Sequence, residues 1–286
     1  MRIVVLGASG QIGCLVVKQL EKDFPDSQII ACSRAGEGNS FKFAPLKDNW
    51  ELLGKVDVLI NCIGIIKEEK NLSFQKAHQG ITAKILEQMQ SIGNPRLIQI
   101  SVLGAVGNSP SKFMSTKGKA DEHLLQNKNT LVIRPSIVCT PNTMMVRKIK
   151  TLFRMSRYLG TYLPIPLHFL NTKIQPVLGA ELAEIISRTC VQKIDGIVNV
   201  TGPEIINLKE LLCLLPKKIR FIPLLKKVSD LLIKPITTFF PSLLNQEQYK
   251  LLSKENVADN ALCEQILGRK MGSTLGFWKR ELNSKP

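Results

Sequence analysis

Three glycines set two residues apart are the first residues with chemistry in them. Gly7-Ala8-Ser9-Gly10-Gln11-Ile12-Gly13 follows a short apolar run, Arg2–Leu6. It precedes a segment in which Ile12, Leu15, Val16 and Leu20 share one helical face. A glycine turn between a strand and a helix is a phosphate cradle. The first glycine permits the tight turn, the second lets backbone approach a pyrophosphate, and the third lets helix pack closely on strand. The helix N-terminus adds N–H donors and partial positive charge. An empty glycine turn in a nucleotide-free sheet is the competing reading. A second signal ends the next predicted strand, Gln28–Cys32. An acidic residue there would bind a ribose 2′-hydroxyl, whereas an Arg accommodates a 2′-phosphate. This chain has Ser33 and Arg34, with no Asp or Glu between Asp26 and Glu37. The site is expected to prefer NADP(H) and to leave NAD(H) open. A solvated surface role for Arg34 is the alternative.

The elements that must hold these residues follow from periodicity. Ser40–Phe43 reads as a weak strand and Val56–Asn61 as a continuous apolar one, the pattern of a buried parallel strand. Leu72–Ile92 reads as a long helix, Arg96–Ser101 as a strand, Ser111–Leu125 as a helix and Thr130–Arg134 as a strand. Further on come a helix over Glu181–Cys190, a strand over Gly196–Val200 and a short helix over Leu208–Leu215. Strand–helix alternation at this spacing implies right-handed βαβ units. The fold expected is α/β, a Rossmann doubly wound parallel sheet with a small, mostly helical C-terminal domain. Residues 1–140, completed by 172–202, are expected to form the sheet domain. Residues 141–171 and 203–286 are expected to form the smaller one.

Composition narrows the class. The 286 residues are 44% hydrophobic and 22% charged, which excludes a disordered, collagen-like or coiled-coil chain. The net charge of +16 points to an anionic partner. Seven cysteines lack CxxC spacing, and three histidines lack a second ligand at metal spacing, so neither a disulfide framework nor a metal site is expected. No apolar run is long enough for a signal peptide or a membrane span. The expected location is cytoplasmic, with a peripheral place at the inner membrane or a mitochondrial one open to it. Aromatic residues are scarce, at 6%, and no base-reading motif occurs, so a nucleic acid is not an expected partner.

Several segments in order resemble the short-chain dehydrogenase/reductase superfamily, in its atypical, NAD(P)-dependent epimerase-like branch. They are the glycine loop, Asn61-Cys62-Ile63-Gly64, Ser101, and Lys117 four residues after Phe113. Further matches are Ile98–Ala105, Ile133–Val138, Ile174–Val177 with Leu182-Ala183-Glu184, and Gly202-Pro203-Glu204 with Leu208–Leu211. These, with Leu244–Gln248 and Asn256-Val257, are similar to the subgroup of the nine-alpha accessory subunit of respiratory complex I and its bacterial relatives. The resemblance implies that Gly7, Ser9, Gly10, Gln11 and Ile12 line a pyrophosphate. It further implies that Arg34 meets a 2′-phosphate, that Gly64 lies beside the ribose, and that Lys117 binds the nicotinamide ribose hydroxyls. Pro135 and Ser136 would border the nicotinamide. Ser101 and Lys117 would be what survives of a catalytic set whose proton donor is a Tyr four residues before the Lys. Here that position is Phe113, and a phenyl ring has no proton to give. The resemblance therefore implies a degenerate site: a structural or regulatory cofactor-binding protein of a membrane-associated, complex I-like system. The alternative is an active NADP-dependent oxidoreductase or epimerase with another donor. Ser101 would donate to a carbonyl in that case, and otherwise cap the strand. Cys62 reads as a redox-sensitive thiol or, more plainly, as a packing residue.

Charge is locally uneven. Between Glu122 and Glu181 no acid occurs, but eight Lys or Arg do. Within this stretch Met144–Tyr158 has Met145, Ile149 and Phe153 on one side and Arg147, Lys148, Lys150, Arg154 and Arg157 around the rest. Such a helix suits an anionic membrane interface or a membrane protein complex, or it packs on its own core. Lys226, Lys227 and Lys234 among apolar residues repeat the pattern nearer the C-terminus.

Overall fold

A computed structural model describes the whole chain except residues 37, 39, 142, 159–161, 216–219, 240–245 and 285–286, and the side chains of 157, 232–234 and 236–239. Leu244 and Asn245, which carried part of the resemblance, and the side chains of Arg157 and Lys234 thus lie outside the described residues. The chain divides into two compact units. One comprises Met1–Pro135, Gly179–Val200 and Asp259–Met271, and the other comprises Ser136–Leu178, Thr201–Ala258 and Gly272–Pro286.

The first unit opens with β1 (Arg2–Leu6), α1 (Gln11–Asp23), β2 (Gln28–Ser33), β3 (Phe41–Lys42), β4 (Val58–Asn61) and α2 (Ile81–Gln88). It continues with β5 (Arg96–Ile100), α3 (Lys112–Leu124) and β6 (Thr130–Pro135). The second unit then supplies β7 (Val138–Cys139), α4 (Met144–Tyr158), β8 (Tyr162–Pro166), α5 (Leu167–Asn171), β9 (Lys173–Ile174) and β10 (Val177–Leu178). The chain returns to the first unit as α6 (Gly179–Thr189) and β11 (Gly196–Val200). It runs through the second as β12 (Ile206–Asn207), α7 (Leu208–Cys213), β13 (Arg220–Leu224), α8 (Lys226–Phe239) and α9 (Gln246–Leu252). Last come α10 (Ala261–Leu267) in the first unit and α11 (Leu275–Asn283) in the second.

One seven-stranded sheet, in the order β11-β6-β5-β4-β1-β2-β3, organises the first unit, and every pairing is parallel. This is the expected Rossmann arrangement. Its strand order reverses between β1 and β4, which in such sheets opens a crevice at the carboxyl ends. Val4, Leu6, Leu59 and Leu97 are buried with Trp50, Leu53, Ile85 and Leu124 in one apolar layer. The single helix expected over Leu72–Ile92 is a π-helical turn, Lys76–Gly80, running into α2. It stops at Gln88 because Gly93 and Asn94 both turn at positive φ before β5. The tail also returns to this unit. Arg269 ties the chain after α10 to Glu181 and Glu184 of α6, each at 2.6 Å, and the Cys263 thiol of α10 donates to the Asn199 carbonyl of β11.

The second unit is mostly helical, with three two-stranded pairs: β7 with β10, β9 with β12, and β8 with β13. Its core gathers Val146 and Ile149 of α4 with Leu163, Phe169, Leu211, Leu212 and Trp278. Met145, Leu152 and Phe153 pack against it. The apolar side of α4 is therefore spent on its own core, the second of the two readings its sequence allowed.

Candidate functional site

The glycine loop lies between β1 and α1. Gly7 sits at φ +77°, and the amides of Gly7 and Ala8 both donate to the Cys32 carbonyl at 3.0 Å. This ties the loop to the end of β2. A Cβ on Gly13 would lie 2.2 Å from the Gly7 carbonyl oxygen, and one on Gly10 would lie 3.2 Å from it. The helix thus approaches the loop closer than any side chain permits. Gly10 is the N-cap of α1 and brings no capping side chain, and no acid occupies the first turn. Ser9, Gly10 and Gln11 are exposed there and Ile12 is half-buried. The helix dipole remains available to an anion.

Ser33 is buried at the end of β2. Its hydroxyl is hydrogen-bonded to the Ser40 hydroxyl at 2.7 Å and accepts from the Gly36 amide at 3.0 Å. Arg34 beside it has a side chain 70% exposed and a loose ion pair with Glu69 at 3.8 Å. Such a pair contributes little to stability, so the guanidinium is free to change partners.

From the loop the site runs to the next strand end. A Cβ on Gly7 would sit 3.0 Å from Ile63 and 3.1 Å from the Cys62 carbonyl carbon. The Asn61 side chain holds that turn, donating to Gln99 at 2.8 Å and accepting from the Ile63 amide at 3.1 Å. Gly64 follows, and a Cβ there would lie 3.2 Å from Lys117 Nζ. Lys117 is only 5% exposed and donates to the Ile100 carbonyl at 2.9 Å. Burial pulls its ammonium down to about 8, against the opposing pull of Asp121 and Cys62. Burial pushes the Cys62 thiol up to about 12, so at neutral pH it is a protonated packing group.

Beneath Lys117 lies a network that sequence reasoning missed. Asp121 is fully buried one turn further along α3. Its Oδ2 accepts from Ser101 Oγ at 2.7 Å and from Arg134 Nε at 2.9 Å, and its Oδ1 has no partner among the described residues. Burial pushes its carboxyl up, while Ser101 and Arg134 pull it down. Spacing was the available signal, because residues i and i+4 share a helix face.

Position 113 is sealed by rings. Phe113 is buried, with Phe74 at 5.7 Å and His78 at 5.6 Å, both edge-on. His78 stacks on Phe74 and hydrogen-bonds Thr116 Oγ1 through Nδ1 at 2.8 Å. Burial, then Lys117, pushes its imidazole down to about 3, against the Ile65 backbone, so it is neutral at physiological pH. His78 lies on the π-helical turn, a feature that often marks functional positions. The chain's three tyrosines, Tyr158, Tyr162 and Tyr249, all belong to the second unit.

Pro135 ends β6 and its carbonyl accepts from the Leu103 amide at 2.9 Å. Ser136 belongs to the second unit, where its buried hydroxyl donates to Asn256 Oδ1. Of the sequence-derived residues, the fold brings Gly7–Gly13, Arg34, Gly64, Ser101, Lys117 and Pro135 to one sheet unit.

No family model matches the chain. It is 28% identical over 92% of its length to the mitochondrial "NADH dehydrogenase [ubiquinone] 1 alpha subcomplex subunit 9" of Arabidopsis thaliana, covering 72% of that protein. It is 23% identical over 65% of its length to the mitochondrial protein FMP52-1 of Scheffersomyces stipitis, covering 86% of it. Among solved structures it resembles a nucleoside-diphosphate-sugar epimerase from Staphylococcus aureus, with TM-score 0.72, 14% identity, and 98% and 100% of the two chains covered. It also resembles UDP-glucuronic acid 4-epimerase from Bacillus cereus in complex with UDP-glucuronic acid and NAD, with TM-score 0.71, 15% identity and coverages of 99% and 98%. A third is RMD from Pseudomonas aeruginosa complexed with NADPH, with TM-score 0.65, 14% identity and coverages of 98% and 96%. The chain has the fold of the atypical, epimerase-like short-chain dehydrogenases and is a distant relative of the complex I accessory subunit.

Proposed function

We propose that the chain binds a nicotinamide dinucleotide, NADP(H) before NAD(H), and works as a structural or regulatory protein rather than a turnover enzyme. Its glycine loop, closed to any Cβ at Gly13, supports the first half of this reading. Gly7, Ser9, Gly10, Gln11, Ile12 and Gly13 would hold the pyrophosphate and Arg34 the 2′-phosphate. Gly64 would leave room for the ribose, Lys117 would bind its hydroxyls, and Pro135 and Ser136 would border the nicotinamide. When bound, the dinucleotide supplies hydride chemistry. The chain's own residues withhold the proton that such chemistry needs.

Phe113 carries the second half. A positioned acid or base typically contributes about 10²–10⁴-fold, or roughly 3–5 kcal/mol of barrier, and no such group stands at this position. Ser101, the donor an active enzyme would fall back on, gives its proton to Asp121 instead. His78 beside Phe113 is neutral and holds Thr116. The mitochondrial setting of the curated relatives and the complex I name of one of them support a place with a membrane-bound assembly.

The test is a titration of cofactor-stripped protein with NADPH and NADH, read by nicotinamide fluorescence and followed by a search for substrate-dependent oxidation. Saturable NADPH binding, weaker NADH binding and no turnover are expected. Turnover by the unmodified chain would refute the non-catalytic reading, and failure to bind either dinucleotide would refute the binding one.

A further inference from the structure

One helix of the second unit carries an exposed apolar stripe. A helix on a water-soluble protein normally turns its apolar stripe inward and its polar side to solvent. In α8 some of the described apolar side chains face solvent instead. Leu225 at its N-cap, Val228 and Leu231 recur every three residues along one side, and Leu225 and Leu231 are 68% and 77% exposed. Ser229 and Asp230 meet Tyr249 of the protein's own α9. Ser229 is buried, and Asp230 accepts the Tyr249 hydroxyl at 2.5 Å. Ile222, on the strand leading into the helix, is exposed as well.

The charges around this stripe are mostly positive. Between Glu210 and Asp230 the sequence holds five cations, Lys217, Lys218, Arg220, Lys226 and Lys227, and no acid. Lys226 and Lys227 are exposed beside the stripe. Arg220 is exposed too, its guanidinium stacked 5.5 Å from the Tyr162 ring centroid and bonded to the Tyr162 hydroxyl at 2.8 Å. Asp230 is the nearest acid in sequence, and it is taken up by Tyr249. Isolated exposed leucines need no explanation, but an apolar stripe bordered by an excess of cations does. Among the described residues no helix is long and apolar enough to cross a membrane.

We propose that the α8 face lies on an anionic lipid surface. Leu225, Val228 and Leu231 enter the boundary between headgroups and acyl chains, while Lys226, Lys227 and Arg220 reach the phosphates. A lipid surface is favoured over a protein partner because the flanking cations outnumber the one flanking acid and sit on long, flexible stems. The proposal goes beyond the dinucleotide reading and stands whether or not that reading holds.

The test is flotation of the full chain with vesicles of phosphatidylcholine alone and with vesicles containing phosphatidylglycerol. The protein should float with the anionic vesicles only, and added salt should release it. Lys226→Ala with Lys227→Ala should lower the partition coefficient about 30-fold. Leu225→Ser with Leu231→Ser should lower it at least about tenfold. Both pairs should melt like the unmodified protein, since their side chains face solvent. Protein left in solution with both vesicle types overturns the proposal. So does flotation that ignores the leucine pair, a tight complex with a membrane protein through this face without lipid binding, or self-association that the leucine pair abolishes.

Discussion

Replacing Lys117 by Met should make the empty protein more stable and its cofactor site worse. The ammonium is 5% exposed, and burial pulls it from an ordinary 10.5 to about 8. At about 1.4 kcal/mol per tenfold change in protonation, holding that proton costs the fold about 3 kcal/mol at pH 7. Methionine fills nearly the same volume without the charge. It also abandons the bond to the Ile100 carbonyl at 2.9 Å, and an unsatisfied buried acceptor costs about 1–3 kcal/mol. The difference leaves a net gain of about 1 kcal/mol. The pH dependence is a cleaner signature. Between about 8 and 10.5 the unfolded chain keeps the Lys117 proton while the folded chain has released it, so the stability of the unmodified protein rises across this window. The Met variant should lack that rise. Urea unfolding of the two proteins in parallel across this range reads both effects, because other titrating groups cancel in the difference. NADPH binding should weaken by about 10- to 100-fold as a charged hydrogen bond is lost. A Met variant that unfolds at lower urea at pH 7, together with identical pH profiles, would refute the argument that Lys117 is kept for a ligand at the expense of the fold.

Gly13→Ala puts a methyl 2.2 Å from the Gly7 carbonyl oxygen. The loop must move, which should cost about 1–3 kcal/mol of stability and abolish dinucleotide binding by fluorescence titration. Arg34→Ala should weaken NADPH binding while leaving NADH binding and the melting temperature unchanged, since its pair with Glu69 is exposed and 3.8 Å long. An equal loss for both dinucleotides would remove Arg34 from the 2′-phosphate role. His78 is held down to about 3 from 6.5, so the unfolded chain binds its proton first and stability falls as pH drops through that interval. At pH 5 the loss should be about 2 kcal/mol. His78→Phe should remove it from the acid limb of a urea-stability profile.

The sheet was legible because its signals are local. A buried run such as Val58–Asn61 is long enough for one strand, and the glycine spacing after Leu6 admits one kind of turn. The sealed ring cluster was half legible. Phe113 announces a missing hydroxyl in sequence, but Phe74 and His78 reach it only through the π-helical turn, which apolar periodicity reads as ordinary helix. The direction of the Ser101 hydroxyl was not legible at all. It depends on Asp121 and Arg134, brought to it from α3 and β6 by tertiary packing. The cationic helices teach the same lesson from the other side. Met144–Tyr158 and the run after Pro223 have similar patterns, yet α4 spends its apolar face on its own core and α8 leaves one open. Periodicity identifies a face without naming its neighbour.

The return of α10 to the sheet unit bears on how the protein comes into being. β11 and α6 receive Cys263 and Arg269 from a segment that leaves the ribosome only after residues 201–258 of the other unit. The sheet unit therefore cannot complete its contacts during synthesis as its N-terminal half emerges. It must wait, with α6 short of Arg269 and β11 short of Cys263, until residues 259–271 have been translated. A nonsense codon ahead of Asp259 would thus leave the glycine loop intact in sequence on a sheet without its final clasp.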